Sequence, residues 1–366
     1  MNDHIHFPFY AKFALLAVGT VALVFILYIG QQIILPIIYA IIFSILLNPV
    51  VNLLVAKKID RVLAISIAVF STILITALLF YFVSIQITIF SETYPQLKEK
   101  LNEVSAQAIH WVSIHFNIKT IKIKTWIKQT EIEALNNVGN TIGQTISTIN
   151  SILIIAVLLP VYLFLLLFYK NLLLEFIRKL FKEDHHQTVF EILFNSKKII
   201  QSYLIGLLVE ATIIATLNSL GLIILGIDYA IILGITGALL NVIPYIGGVI
   251  AIALPMIIAL VTKDSSSSAL LVLLVYLFIQ FIDNHFIIPR VVAARVKINA
   301  LISIIAVLVG GALWGIPGMF LSIPLTAIVK VICDYIEPLK PFGFLLGNIV
   351  PTAKFQFKQK RKTKSV

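Results

Sequence analysis

The chain has 366 residues, 60% of them hydrophobic and only 12% charged, with a formal net charge of +11 and a mean hydropathy of +1.02. Soluble globular chains run at about 45–50% apolar and about 25% charged, so too little polar surface remains to coat a water-soluble particle, and the class left is an all-α polytopic membrane protein. The single cysteine, Cys333, excludes an internal disulfide and a CxxC metal site, and the basic residues flank apolar runs, which points to topology and anionic lipid rather than to nucleic acid.

In chain order, an apolar run at Phe13–Ile29 follows the N-terminus without a small-residue cleavage site, which predicts a retained first helix rather than a signal peptide. A second run, about Ile33–Val55, carries Pro36 and Pro49, each of which removes a backbone donor and predicts a kink. A third run starts at Leu63 and ends near Ile87. Between about Phe90 and Asn150 the chain turns water-compatible, with Leu97, Leu101, Val104, Ala108 and Trp111 and then Ile132, Leu135, Val138, Ile142, Ile146 and Ile149 at helical spacing. This predicts an extramembrane pair of amphipathic helices. A fourth run, Ser151–Tyr169, leads into Leu172, Leu173, Phe176, Ile177, Leu180 and Phe181, one apolar face beside Arg178, Lys179 and Lys182, as an interfacial helix requires. His185 and His186 have no partner at metal-ligand spacing, and a fifth run spans Tyr203–Ile227.

Two long apolar stretches then differ from ordinary spans. Residues 229–262 are broken by Asn241, Pro244, Tyr245, Gly247 and Gly248, and residues 299–336 by Gly310, Gly311, Trp314, Gly315, Pro317 and Gly318; a plain span at about Ala269–Ile288 lies between them. Their halves, at about 14 to 17 residues, sit at or below the lower limit of the range of about 17–25 that crosses a bilayer. Two hairpins are therefore expected, re-entrant or broken, for a total of about eight hydrophobic segments. Placing segments 56–62, 169–202, 287–298 and 337–366 with Lys12 on one side gathers 20 of the 28 basic residues there. The positive-inside rule makes that side cytoplasmic, with both termini inside. The expected divisions are membrane helices at 1–88, the extracytoplasmic segment at 89–150, a span plus interfacial helix at 151–202, a transport region at 203–336 and a basic tail at 337–366.

Inside hydrocarbon, broken helices survive only when buried in protein or lining a cavity, and transporters use them to hold a substrate or coupling ion at the midplane. Glu210 lies mid-span, and Asp283 lies late in its span beside Gln280, Asn284 and His285. A charged side chain at a helix centre costs about 2.5–3.5 kcal/mol on insertion scales and marks an ion or proton path. Glu210, Asn241, Gln280, Asp283 and Asn284 are thus the candidate substrate- or ion-binding residues. The candidate gating residues are Pro244, Tyr245, Gly247 and Gly248 in the first hairpin, and Gly310, Gly311, Gly315, Pro317 and Gly318 in the second. A structural carboxyl hydrogen-bonded to a hydroxyl is the competing account of Glu210, and pairing with Arg290 or Arg295 that of Asp283.

The segments Ser202-Tyr-Leu-Ile-Gly206, Asn241-Val-Ile-Pro-Tyr-Ile-Gly-Gly248, Gln280-Phe-Ile-Asp-Asn284 through Pro289, and Gly310-Gly-Ala-Leu-Trp-Gly-Ile-Pro-Gly318 with Pro324 resemble the AI-2E family of transporters. The resemblance implies an N-terminal bundle, an extramembrane helical segment, a C-terminal transport region and a homo-oligomer, a pentamer in the family. It also implies a bacterial cytoplasmic membrane and either export of an autoinducer-2-like solute or exchange of Na+ for H+. Asp283 stands where many members carry Glu, and Glu210 where many carry an uncharged polar residue.

No GxxxxGK[ST], HExxH or GxSxG occurs. A secondary transporter without cofactor or resident metal is expected, with Na+ or H+ as coupling ion, lipid and a small molecule or ion as partners, and no nucleic acid. A membrane scaffold acting through residues 90–150 and the basic tail is the alternative.

Overall fold

The computed structural model describes residues 8–116, 157–242, 247–263, 267–293 and 296–348. Within them, the helices are α1 (Phe9–Ile29), α2 (Gln31–Ala56) and α3 (Arg61–Phe116), then α4 (Val157–Phe168). They continue with α5 (Lys170–Lys179), α6 (His186–Ile224), α7 (Ala230–Asn241), α8 (Gly247–Thr262), α9 (Ser267–Ile282), α10 (Ala300–Tyr335) and α11 (Lys340–Leu346). Six of the helical segments are long and apolar enough to cross a bilayer, and a seventh candidate is the pair α4–α5, bent by 67° at Tyr169. The fold is that of an all-α, multi-span membrane protein. Large apolar side chains point outward along its helices, as lipid contact requires: Leu16 is 71% exposed and Leu308 66%.

Changes of polarity do not end helices here. At about 1.5 Å per residue, the 56 residues of α3 extend roughly 84 Å, well beyond the roughly 30 Å hydrocarbon core. The expected division at 88 falls inside this one helix, because a change of solvent leaves backbone hydrogen bonding intact. Residues 117–150 of the expected amphipathic segment lie outside the described residues. In the same way α6 joins the segment before Tyr203 to the span after it. No Gly or Pro interrupts 186–205, and its buried positions Ile200, Tyr203, Leu204, Gly206, Glu210, Ile214, Asn218 and Leu222 hold one helical stripe throughout. α1 meets α2 at a bend on Gly30 (φ −76°, ψ 4°). No residue of α1 is buried.

α2, the first turns of α3 and the end of α4 pack through Val51, Ala64, Ile65, Ala68, Leu163 and Leu167. Arg61 caps this bundle by donating to the carbonyls of Leu167 and Phe168, and Lys170 donates to buried Asn48 at 3.0 Å. α6 is the central post, and both hairpins pack on it.

The first hairpin is α7–α8. After α6 the chain reverses through two left-handed residues, Gly226 (φ 65°) and Tyr229 (φ 60°). The arms of 12 and 16 residues reach only about 18 and 24 Å, too short for a full crossing each. Pro244 and Tyr245, at the connection, lie outside the described residues.

The second hairpin lies within α10. Gly315 (φ 63°, ψ −144°) breaks its helical path, in a region open to glycine and strained for other residues. A side chain on Gly318 would overlap the Gly310 carbonyl, and one on Gly310 would overlap Ser322. In a straight helix residues 310 and 318 would stand about 12 Å apart. The chain therefore folds back on itself, as the sequence predicted for residues 299–336.

Candidate functional site

Three elements bring the predicted polar residues together. α6 carries Glu210 on the stripe it turns toward the hairpins. α7 ends on Asn241 at the inner end of the first hairpin. α9 carries Gln280 and then widens into two π-helical turns, Asp283–Ile287 and Pro289–Ala293. The Ile288 N–H reaches back five residues to the Asp283 carbonyl, and the widening directly precedes Pro289, which lacks an amide donor. π-turns inside α-helices recur at functional sites.

Asp283 is fully buried, at 0% exposure. Asn241 Nδ2 donates to its Oδ2 at 3.0 Å, while its Oδ1 has no hydrogen-bond partner among the described residues. Glu210 is 7% exposed and close enough to Asp283 for the two to interact electrostatically. Among the described residues these two acids are the only buried carboxyl side chains, and no buried Lys, Arg or His accompanies them. Of the two expected arginine partners of Asp283, Arg290 lies instead over the Phe286 ring at 5.7 Å, and Arg295 lies outside the described residues. Two acids without a buried base in low dielectric make a place where a proton or a cation is favoured.

A cavity of about 860 Å³ opens between the hairpins. Its walls include Tyr203, Leu207 and Glu210 of α6, Asn241 and Gly248 of the first hairpin, and Gln280 and Asn284. Ala300, Ser303, Val307 and Ile323 of the second hairpin close the far side. Small-molecule sites span about 300–1,000 Å³ and are mostly apolar with a few placed polar groups, which describes this lining. Gln280 Nε2 contacts Asn284 Oδ1 at 3.4 Å, and Gln280 Oε1 and Asn241 Oδ1 converge over Gly248, where a Cβ would stand 3.0 and 3.4 Å from them.

Of the five predicted binding residues, Glu210, Asn241, Gln280 and Asn284 line the cavity, and Asp283 sits behind Asn241. Among the predicted gating residues Gly248 lines the cavity, and Gly247 makes the tight approach to Leu240 that closes the first hairpin. Gly310, Gly311, Gly315, Pro317 and Gly318 stand apart from it, at the end of the second hairpin. There Trp314 Nε1 donates to the Leu27 carbonyl at 3.0 Å, and Tyr39 Oη donates to the Pro317 carbonyl at 3.1 Å. Tyr203 and Ser303 were not singled out in the sequence. Tyr203 was findable, because 203, 207 and 210 share a helix face; Ser303 gave no signal, since nothing local distinguishes it from a hydroxyl facing lipid.

Residues 16–337 match the family described as AI-2E family transporter, so the chain belongs to that family, one of transporters rather than enzymes. It is 26% identical over 287 residues to the provisionally named transport protein YueF of Bacillus subtilis, covering 76% of this chain and 77% of YueF. It is 35% identical over 130 residues to YrrI of the same organism, also provisionally named a transport protein, covering 35% and 36% of the two chains. It is 32% identical over 125 residues to the AI-2 transport protein TqsA of Escherichia coli K12, covering 34% and 36%.

Proposed function

We propose that this AI-2E family member is a secondary transporter that moves a small organic solute of the autoinducer-2 kind through the cavity between its hairpins, coupled to Na+ or H+ at Glu210 and Asp283. The observation that carries the proposal is the placement of two buried acids, unmatched by any buried base among the described residues, with Glu210 at the wall of a cavity sized for a small molecule and Asp283 held just behind that wall by Asn241. The absence of a GxxxxGK[ST] phosphate loop from the sequence leaves an ion gradient or the solute's own gradient as the driving force. Similarity to TqsA, an AI-2 transport protein, supports the solute class. A cation or proton taken up by the acids changes the charge at the cavity wall, which gives the solute different affinities in the two loading states.

The face carrying Lys57, Lys58, Arg61, Arg178, Lys179 and Lys340 is proposed as cytoplasmic, by the positive-inside rule. The membrane is that of a bacterial cell's cytoplasm, and the chain is the protomer of a homo-oligomer, a pentamer by resemblance to the family.

Purified protein in liposomes tests this. Flux of autoinducer-2, sodium or protons that is present in the native protein and falls at least tenfold in both Glu210→Gln and Asp283→Asn supports it. Flux unchanged in both variants sinks the coupling role, and no flux of any of the three sinks the transport proposal in favour of a scaffold.

A further inference from the structure

Behind the main cavity lies a second, much smaller space of about 10 Å³, walled by α6, the first hairpin and α9. Its lining includes Asn218, Gly237, Asn241, Gly248, Tyr276 and Gln280. Asn218 and Tyr276 are 2% and 4% exposed, and neither Asn218 Oδ1 nor Tyr276 Oη has a hydrogen-bond partner among the described residues. Both groups flank Gly237: a Cβ there would stand 3.2 Å from Asn218 Nδ2 and 3.4 Å from Tyr276 Oη.

A buried polar atom with no partner is costly, and two of them opening on one small space need a common explanation. A space of roughly 10–15 Å³ suits one water, which needs two to four polar partners. Here a water can donate to Asn218 Oδ1, accept from Tyr276 Oη, and reach the amides of Asn241 and Gln280.

We infer that this chamber holds one ordered water that bridges Asn218 of α6 and Tyr276 of α9 to Asn241 of the first hairpin. Asn218 and Tyr276 are thus positioning residues. They act through the water on Asn241, whose amide holds Asp283. The inference goes beyond transport through the main cavity, and its test needs no substrate.

The experiment is a high-resolution map of the full-length protein in lipid nanodiscs, prepared once in sodium and once in choline salts. The expected result is one density peak within about 2.7–3.2 Å of Asn218 Oδ1 and Tyr276 Oη in both salts. No peak in either salt overturns the inference. So does a peak found only with sodium, which identifies an ion instead.

Two variants with the same added Cβ supply a second readout. Gly237→Ala fills the chamber with a methyl group and leaves both orphans unpaired, whereas Gly237→Ser puts a hydroxyl where the water sits. The alanine variant is expected to melt about 2–4 °C below the serine variant. Equal melting temperatures, or a lower one for serine, contradict a hydrogen-bonding role for the chamber.

Discussion

The two hairpins are built from the same vocabulary, an apolar run broken by glycine and proline beside an aromatic, yet they do different work. The end of the second is tied down: Trp314 and Tyr39 link it to α1 and α2, and the Gly310–Gly318 contact locks its arms together. The inner end of the first is polar, and Asn241 and Gly248 face Gln280 and the buried Asp283. One hairpin is a wall tied to α1 and α2, and the other carries half of a polar site. Punctuation in a hydrophobic sequence therefore marks where a helix breaks, while the polar residues beside the break say what it is for.

The largest effect expected from breaking that contrast is on folding. Gly318→Leu places a branched side chain into the Gly310 backbone and should cost about 3 kcal/mol or more, read as loss of folded protein on detergent extraction. Gly19→Leu in α1, where nothing lies within 4 Å of an added Cβ, should leave the yield unchanged. Comparable losses for the two would remove the locked turn from the account.

Next comes Asn241→Leu, which strips buried Asp283 of the side-chain donor seen among the described residues. A cost of about 1–3 kcal/mol is expected, with flux in liposomes falling at least tenfold. A stable variant that transports normally would show that the first hairpin does not organise the acids.

The smallest effects belong to the anchors of the second hairpin. Trp314→Phe and Tyr39→Phe each delete one hydrogen bond and keep the ring, so a loss of about 0.5–1.5 kcal/mol is expected in thermal melting, with flux retained. Flux abolished by either one, at unchanged stability, would turn the wall into a moving part.

Much of this was legible beforehand. The spans follow from hydropathy alone, and the two broken stretches follow from Gly and Pro where about 20 unbroken residues would be needed to cross. Glu210 and Asp283 stood out because an ionisable group in lipid needs a reason. Other features depended on long-range packing. Nothing near Tyr276 says that its hydroxyl lacks a partner, since that depends on α6 and α7, more than 30 positions away. The far ends of the hairpins looked alike in sequence, because Trp314 and Gly315–Gly318 meet α1 and α2 through the tertiary fold alone. The continuity of α3 past residue 88 is not legible in the sequence, because the change of polarity there marks a change of solvent and not an end of backbone hydrogen bonding.

Transport by the proposed route requires the space between the hairpins to be the aqueous path of the solute. In a Cys333→Ala background, Ser303→Cys and Asn284→Cys should each react with a water-soluble, membrane-impermeant thiol reagent. That labelling should block flux and slow in the presence of autoinducer-2, while Leu308→Cys on the lipid-facing side stays unreactive. Labelling at Leu308 alone, or at none of the three in a protein that still transports, would place the route elsewhere.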